Sequence, residues 1–301
     1  MPSCIVYPPP PAASRPRSTF AFDCAGDYGT GVAGCQALAG AALRSRPMTR
    51  ANDEPPAVDV IVGDLDELAR ILAARLARAA EHAHAERGRF ALALSGGSLA
   101  EQLFPRLARS GFDAARTDFF WADERAVAPT SPDSNFGLAE RLWLGPAGVP
   151  PVRVHRMPAE APDLGRAAFD YEAELERVTG VPARLDAVLL GVGADGHIAS
   201  LFPGAAALAV DRPTVLAIED SPKPPPRRLT LSLPLLAEAR RVVVAAFGDA
   251  KAAVIAAALA TGRSELPLAR LLRRAHRPLL LLDPAAASRL AGDAARLGSG
   301  S

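Results

Sequence analysis

The chain has 301 residues, 49% of them apolar, and a formal net charge of +1, enough for one large α/β domain or two closely joined lobes beyond a short tail. The near-neutral balance argues against a nucleic-acid or membrane-surface role, and 5% aromatic content argues against a base-stacking platform. No apolar run approaches the roughly 20 residues needed to cross a bilayer, so no membrane partner is expected.

Cys4, Cys24 and Cys35 all precede Met48. The rest of the chain therefore has no thiol nucleophile, thiolate metal site or disulfide, and a reducing, cytoplasmic setting is expected. Residues 1–50 carry the run Pro8 to Pro11, scattered Gly and Ser, and no sustained periodicity. They read as a disordered leader. A secretory signal is not expected, because no charged start leads into an apolar stretch. Asp23 and Asp27 weaken a transit-peptide reading. The favoured reading is that Met48 is the true start, with residues 51–295 forming the folded domain.

From Ala57 onward, strands and helices alternate. Val58 to Val62 is a first strand. Asp64 is an expected N-cap with Glu67 three positions later, the spacing of a capping box. Leu65, Leu68, Ile71, Leu72, Leu76 and Ala79 recur at helical spacing up to Gly88. Phe90 to Leu94 is a strand, followed by Ser95-Gly96-Gly97-Ser98 and a helix to about Arg109. Asp118 to Ala122 is a third strand. Ser134 caps a helix holding Leu138, Leu142 and Trp143. Val152 to Arg156 reads as a strand. Leu164, Ala168, Tyr171, Leu175 and Val178 mark a helix stopped by Gly180 and Pro182. Further strands are expected at Val215 to Ile218, Leu229 to Leu233, Arg241 to Phe247 and Pro278 to Leu282, and helices at Ala250 to Ala260 and Leu268 to Arg274. This alternation predicts a mostly parallel sheet with helices on both faces.

The most informative segment runs from Leu185 to His197. A short apolar run, the mark of a buried parallel strand, ends abruptly in Gly191-Val192-Gly193-Ala194-Asp195-Gly196-His197. Open α/β sheets bind ligands at the carboxyl ends of such strands. Asp195 and His197 are thus expected on a tight turn at the mouth of a site, with His197 suited to acid/base work.

Other segments are weaker alone. Ser95-Gly96-Gly97-Ser98 offers backbone N–H groups and two hydroxyls to an anion at a helix N-terminus, but a plain tight turn explains it equally well. It lacks both the Walker ending and the dinucleotide fingerprint. Asp123-Glu124-Arg125 follows a strand, where a ligand would sit, and Arg125 suits a phosphate or an oxyanion. Ser221-Pro222-Lys223-Pro224-Pro225-Pro226-Arg227-Arg228 reads either as a stiff linker or as a loop holding Lys223 and Arg228 for an anion. His82 and His84 belong to a charged helix, and His155 and His276 have no carboxylate in a comparable glycine-rich turn. No spacing matches a metal site, so neither metal nor cofactor is expected.

In order and spacing these segments, with Ser134-Asn135 and the run Gly191 to Gly204, resemble the 6-phosphogluconolactonase family over about Val58 to Leu290. The related glucosamine-6-phosphate deaminases share the Asp-Gly-His turn but continue into a His-Ile-Ala-Phe-Asn-Glu-Pro pattern. This chain reads His197-Ile198-Ala199-Ser200-Leu201-Phe202-Pro203, with Phe202 in the place of that glutamate. The deaminases also lack the proline-rich Lys223 segment. The resemblance implies a Rossmann-like three-layer α/β/α fold and hydrolysis of 6-phospho-D-glucono-1,5-lactone, the second step of the oxidative pentose phosphate pathway. It implies His197 as general base, Asp195 as its orienting partner and Arg125 as oxyanion stabiliser. Ser95, Gly96, Gly97, Ser98, Asp123, Lys223 and Arg228 would bind the sugar phosphate. The partner expected is a small sugar-phosphate lactone, and a monomer is expected. The alternatives are a deaminase or isomerase of the same fold, or a sugar-phosphate-binding regulator without catalysis.

Overall fold

A computed structural model of the chain describes residues 58–260 and 264–290. Strand β1 (Asp59–Val62) leads into helix α1 (Leu65–Arg87), whose start is fixed by Asp64: its carboxylate accepts from the Glu67 N–H at 2.8 Å. Gly88 closes α1 in the left-handed conformation (φ 73°), a region that side chains disfavour. Next come β2 (Ala91–Leu94), α2 (Ser98–Leu107), β3 (Asp118–Trp121), β4 (Asp123–Arg125), α3 (Asn135–Ala139) and α4 (Leu164–Thr179). The second half comprises β5 (Ala187–Gly191), β6 (Val215–Ile218), β7 (Arg228–Leu231), α5 (Leu233–Ala237), β8 (Val242–Ala246), α6 (Ala252–Leu259), α7 (Pro267–Arg274) and β9 (Leu279–Leu282).

Six strands form one parallel sheet in the order β1-β9-β8-β5-β2-β3. Strands β2, β3, β8 and β9 are buried at every position, and successive side chains point to opposite faces, so both faces are covered. This is the α/β architecture the alternating sequence predicts. From β2 the chain steps outward to β3, then crosses to β5 on the other side of β2 and continues through β8 to β9. The direction of winding therefore reverses between β2 and β5. The carboxyl ends of these two strands flank the crevice where open sheets of this kind take ligands.

A second sheet, β4-β7-β6, is antiparallel. The chain changes sheets at Ala122, whose N–H bonds Leu94 of the first sheet at 2.8 Å and whose carbonyl accepts from Leu231 of the second at 2.8 Å.

Three local expectations are corrected. Val152–Arg156 is not a strand but a short 3₁₀ turn (Pro151–Arg153) with one bridging pair, Val154 against Phe119. Proline carries no N–H for a ladder, and Arg153 and His155 turn instead to Asp118. Leu229–Leu233 ends as a strand at Leu231. Ser232 then caps the short helix α5, with Pro234 in its first turn. Asp123–Glu124–Arg125, expected just past a strand, is itself a short strand paired with β7. The helix after Ser134 divides into an α segment and a π turn, Glu140–Leu144, which brings Trp143 against Phe104, Phe112 and Phe119 at ring-centroid distances of 5.2, 6.0 and 5.3 Å. The expectations for residues 1–50 lie outside the described residues. No helix among the described residues is long and apolar enough to cross a membrane.

Candidate active site

Strand β5 ends in a turn that folds back on itself. The Gly193 N–H donates to the His197 carbonyl at 2.9 Å, and Gly196 takes a positive φ of 83°. A Cβ at Gly193 would stand 2.0 Å from His197 Nδ1 and 2.3 Å from Asp195 Oδ1, so a side chain there is sterically excluded. The closeness this glycine permits is the point of the turn: His197 Nδ1 lies 2.5 Å from Asp195 Oδ1. The carboxylate can only accept, so the proton sits on Nδ1 and Nε2 is left as the base. Among the described residues, Nε2 has no hydrogen-bond partner.

Lys223 completes the cluster. Its Nζ lies 2.9 Å from Asp195 Oδ2 and 3.3 Å from His197 Nδ1. Burial alone would raise the Asp195 carboxyl, but hydrogen bonds from Lys223 and His197 outweigh it and hold the group well below the usual carboxylate range. Burial pushes His197 below the ordinary imidazole value; Asp195 pulls against this and the Lys223 charge adds to it. The imidazole is thereby kept neutral, as a base must be. It packs on Phe202, ring centroids 4.5 Å apart, and Lys223 and Arg228 also approach that ring, at 5.9 and 5.6 Å from its centroid.

Arg228 holds the Lys223 loop. Its Nε donates to the Pro225 carbonyl at 2.9 Å, and Nη2 donates to those of Lys223 and Pro224 at 2.9 and 3.1 Å. Nη1 reaches Ser200 Oγ at 3.3 Å, and Ser200 in turn donates to Asp123 Oδ2 at 2.8 Å. The side chain expected to face an anion is thus committed largely to the backbone that carries Lys223. Arg125 stands opposite Arg228 in the β4–β7 register and donates from Nη1 to the Asp133 carbonyl at 2.7 Å. It makes no hydrogen bond or ion pair with Asp195 or His197. Its buried Nε has no partner among the described residues.

The Ser95–Ser98 turn lies beside the His197 turn. A Cβ on Gly191 would come within 3.8 Å of the Gly96 carbonyl. A Cβ on Gly96 would collide with Asn135 Oδ1 at 1.9 Å, while Asn135 Nδ2 donates to the Asp123 carbonyl at 2.8 Å. Ser98 opens α2, and the Ser95 hydroxyl is buried without a protein partner among the described residues.

Three contributors were given no place in the site from the sequence. Glu124, buried, accepts from the N–H groups of Arg125, Asn135 and Phe136 and from Ser134 Oγ, at 2.7 to 3.0 Å, and so anchors the start of α3. Phe202 underlies the imidazole. Lys251, just before α6, is depressed by burial and then by the charge of Lys223, with Asp195 opposing. Its signal was available: Gly248-Asp249-Ala250-Lys251 follows a buried strand just as the His197 turn does.

Residues 63–280 match the family described as glucosamine-6-phosphate isomerases/6-phosphogluconolactonase. The 6-phosphogluconolactonase of Streptomyces coelicolor is 38% identical over 77% of this chain and 94% of its own length. That of Rattus norvegicus is 38% identical over 77% and 93%. Among solved structures, the 6-phosphogluconolactonase from Trypanosoma brucei superposes with a TM-score of 0.68 at 29% identity, covering 78% of this chain and 99% of that one. A monomeric glucosamine-6-phosphate deaminase superposes with a TM-score of 0.64 at 21% identity, covering 77% of this chain and 100% of that one, a likeness of fold alone. With most of its length matched, the chain belongs to the glucosamine-6-phosphate isomerase/6-phosphogluconolactonase family.

Proposed function

We propose that this protein is a 6-phosphogluconolactonase that hydrolyses 6-phospho-D-glucono-1,5-lactone to 6-phospho-D-gluconate, with His197 as general base. The observation that carries the reading is the imidazole held by Asp195 at 2.5 Å, with Nε2 unbonded, at the point where the sheet reverses its winding. A lactone carbonyl is already electrophilic, so it needs an activated water rather than a covalent nucleophile. His197 Nε2 takes the proton of a water as its oxygen attacks C1. Asp195, anionic, keeps the imidazole in the right tautomer and stabilises the imidazolium that forms, as the acid of a triad does. The ring C–O bond then breaks, and Nε2–H returns the proton to the leaving oxygen.

The phosphate supplies positioning remote from the reacting carbon. Lys223 and Arg125 are the cations with donors available for it. Arg228 lends its remaining Nη1 hydrogen while holding the Lys223 loop. The turn Ser95–Ser98 with Asp123 lines the neighbouring wall. In this reading the oxyanion is also met by Arg125, once substrate is seated. Phe202 argues against a deaminase, since a phenyl ring cannot transfer a proton.

The test measures lactone hydrolysis and amine release from glucosamine 6-phosphate on the same preparation. Hydrolysis without amine release is expected. Amine release would make the protein a deaminase, and silence in both assays with retained sugar-phosphate binding would make it a regulator.

A further inference from the structure

At the amino ends of the strands, opposite the candidate active site, a cavity of about 460 Å³ opens between α1, the residues leading into β5 and β8, and the end of α7. Small-molecule sites fall at roughly 300–1,000 Å³. Five arginines line it: Arg87, Arg184, Arg240, Arg241 and Arg274. Three carboxylates share the walls, those of Glu86, Asp186 and Glu238, leaving two positive charges unmatched (5 − 3 = 2, with the histidines neutral).

Part of this charge is structural. Asp186 Oδ2 accepts from the Ala91 N–H at 2.9 Å, which fixes the start of β2, and Oδ1 accepts from Arg87 Nη2 at 3.0 Å. Arg240 Nε lies 3.4 Å from the same oxygen. Arg274 pairs with Glu238 at 3.7 Å. Fixing β2 against the residues leading into β5, and the end of α7 against the end of α5, accounts for those groups. It leaves Arg184, whose Nε meets only the Glu238 carbonyl at 2.9 Å, and Arg241, which has no ion pair among the described residues. Arg87 Nε is buried with no partner among the described residues. Arg240 is depressed by burial and by the charges of Arg87 and Arg184, a sign of guanidinium groups crowded in one recess. A concave recess with a positive balance concentrates the field on a small counter-ion.

We propose that this cavity is a second anion site, for a small polyanion of the diphosphate class, built on the unmatched guanidinium groups of Arg184 and Arg241 beside Arg87 and Arg240. Guanidinium forks pair with phosphate oxygens through two parallel N–H bonds, and two unmatched forks suit two phosphate groups better than one carboxylate.

Inorganic pyrophosphate is the probe, and binding to the full chain is measured by calorimetry in the wild type, in Arg184→Ala/Arg241→Ala and in Lys223→Ala. Losing two charge-assisted contacts should weaken binding roughly tenfold or more. Both arginines are exposed, so the double variant should fold; Arg184→Lys/Arg241→Lys, which keeps the charge and loses the forks, should fall between. Lys223→Ala should lose at most a separate binding event at the active site and should keep the one that Arg184→Ala/Arg241→Ala removes, and affinity should fall as salt rises. The proposal is overturned if the wild type does not bind pyrophosphate, if the double variant binds it equally well, or if Lys223→Ala abolishes binding. That last result would locate the anion at the active site. Each outcome is independent of which reaction the active site performs.

Discussion

The two sheets use charge in opposite ways. In the six-stranded sheet the strands are apolar but for Asp59 in β1 and Asp118 at the start of β3, and the candidate chemistry begins past their ends, in the turns after β2 and β5. In the three-stranded sheet the polar groups are inside the strands: Asp123 and Glu124 in β4, Arg228 and Thr230 in β7, all of them buried. The first sheet is stable through apolar burial and can leave its turns free to serve a ligand. The second coheres only because each buried charge is answered, Glu124 by three N–H groups and a hydroxyl, Arg228 by three carbonyls. Catalytic machinery laid on the first sheet should therefore be removable without unfolding. Charges in the second should not.

Glu124→Ala attacks the second sheet at its most connected point. It leaves buried donors of α3 and β4 unmet, at about 1–3 kcal/mol for each donor left without a partner. A loss of roughly 3 kcal/mol or more is expected in urea unfolding. Stability within about 0.5 kcal/mol of the wild type, the usual range for surface changes, would remove the contrast between the sheets.

His197→Ala attacks the first sheet's turn. Turnover should fall roughly 10²-fold or more, the usual worth of a positioned base, while stability and substrate binding change little. Near-normal turnover would end the assignment of the base. Lys223→Ala comes next: with a charge-assisted contact to phosphate gone, KM for the phosphorylated lactone should rise roughly tenfold. Unphosphorylated gluconolactone should show no such rise, and an equal loss on both lactones would refute the phosphate role.

The same contrast explains what could be read in the residues beforehand. Apolar runs ending in glycine or a cap, such as Ala91–Leu94 and Ala187–Gly191, give a parallel sheet its signature, and the His197 turn stood at the end of one of them. Asp123–Glu124–Arg125 carries no such signature. Its place after a strand pointed to a ligand, but its burial shows only when Ser134, Asn135 and Ser200, 10 to 77 positions away, are folded against it. Arg228 was legible as a cation but not as the brace of its own loop, because its acceptors are backbone carbonyls that every sequence supplies. Phe202 was legible as a non-acid, and its place under the imidazole required the Ser200–Phe202 turn to be seen in three dimensions. Val154 reads as β-forming, yet the prolines before it and the pull of Asp118 on its neighbours leave only one bridging pair.

The subtlest expectation concerns pH. Burial, the first cause, depresses His197; Asp195 opposes it and Lys223 reinforces it. A base works only when neutral, so kcat/KM should hold as pH falls through the ordinary imidazole value and decline on a limb centred below 6.5. Stability shares the sign: on acidification the unfolded chain takes up a proton that the folded chain resists, so the His197 contribution is present above the ordinary value and lost as pH falls through the folded one. Lys223→Met removes a nearby positive charge and should move the acidic limb upward. Asp195→Asn removes the opposing carboxylate and should move it downward, with a large loss of rate because the tautomer is no longer held. Opposite displacements would separate positioning from proton affinity in this turn. Limbs that coincide in all three proteins would mean that a group other than His197 sets the pH dependence.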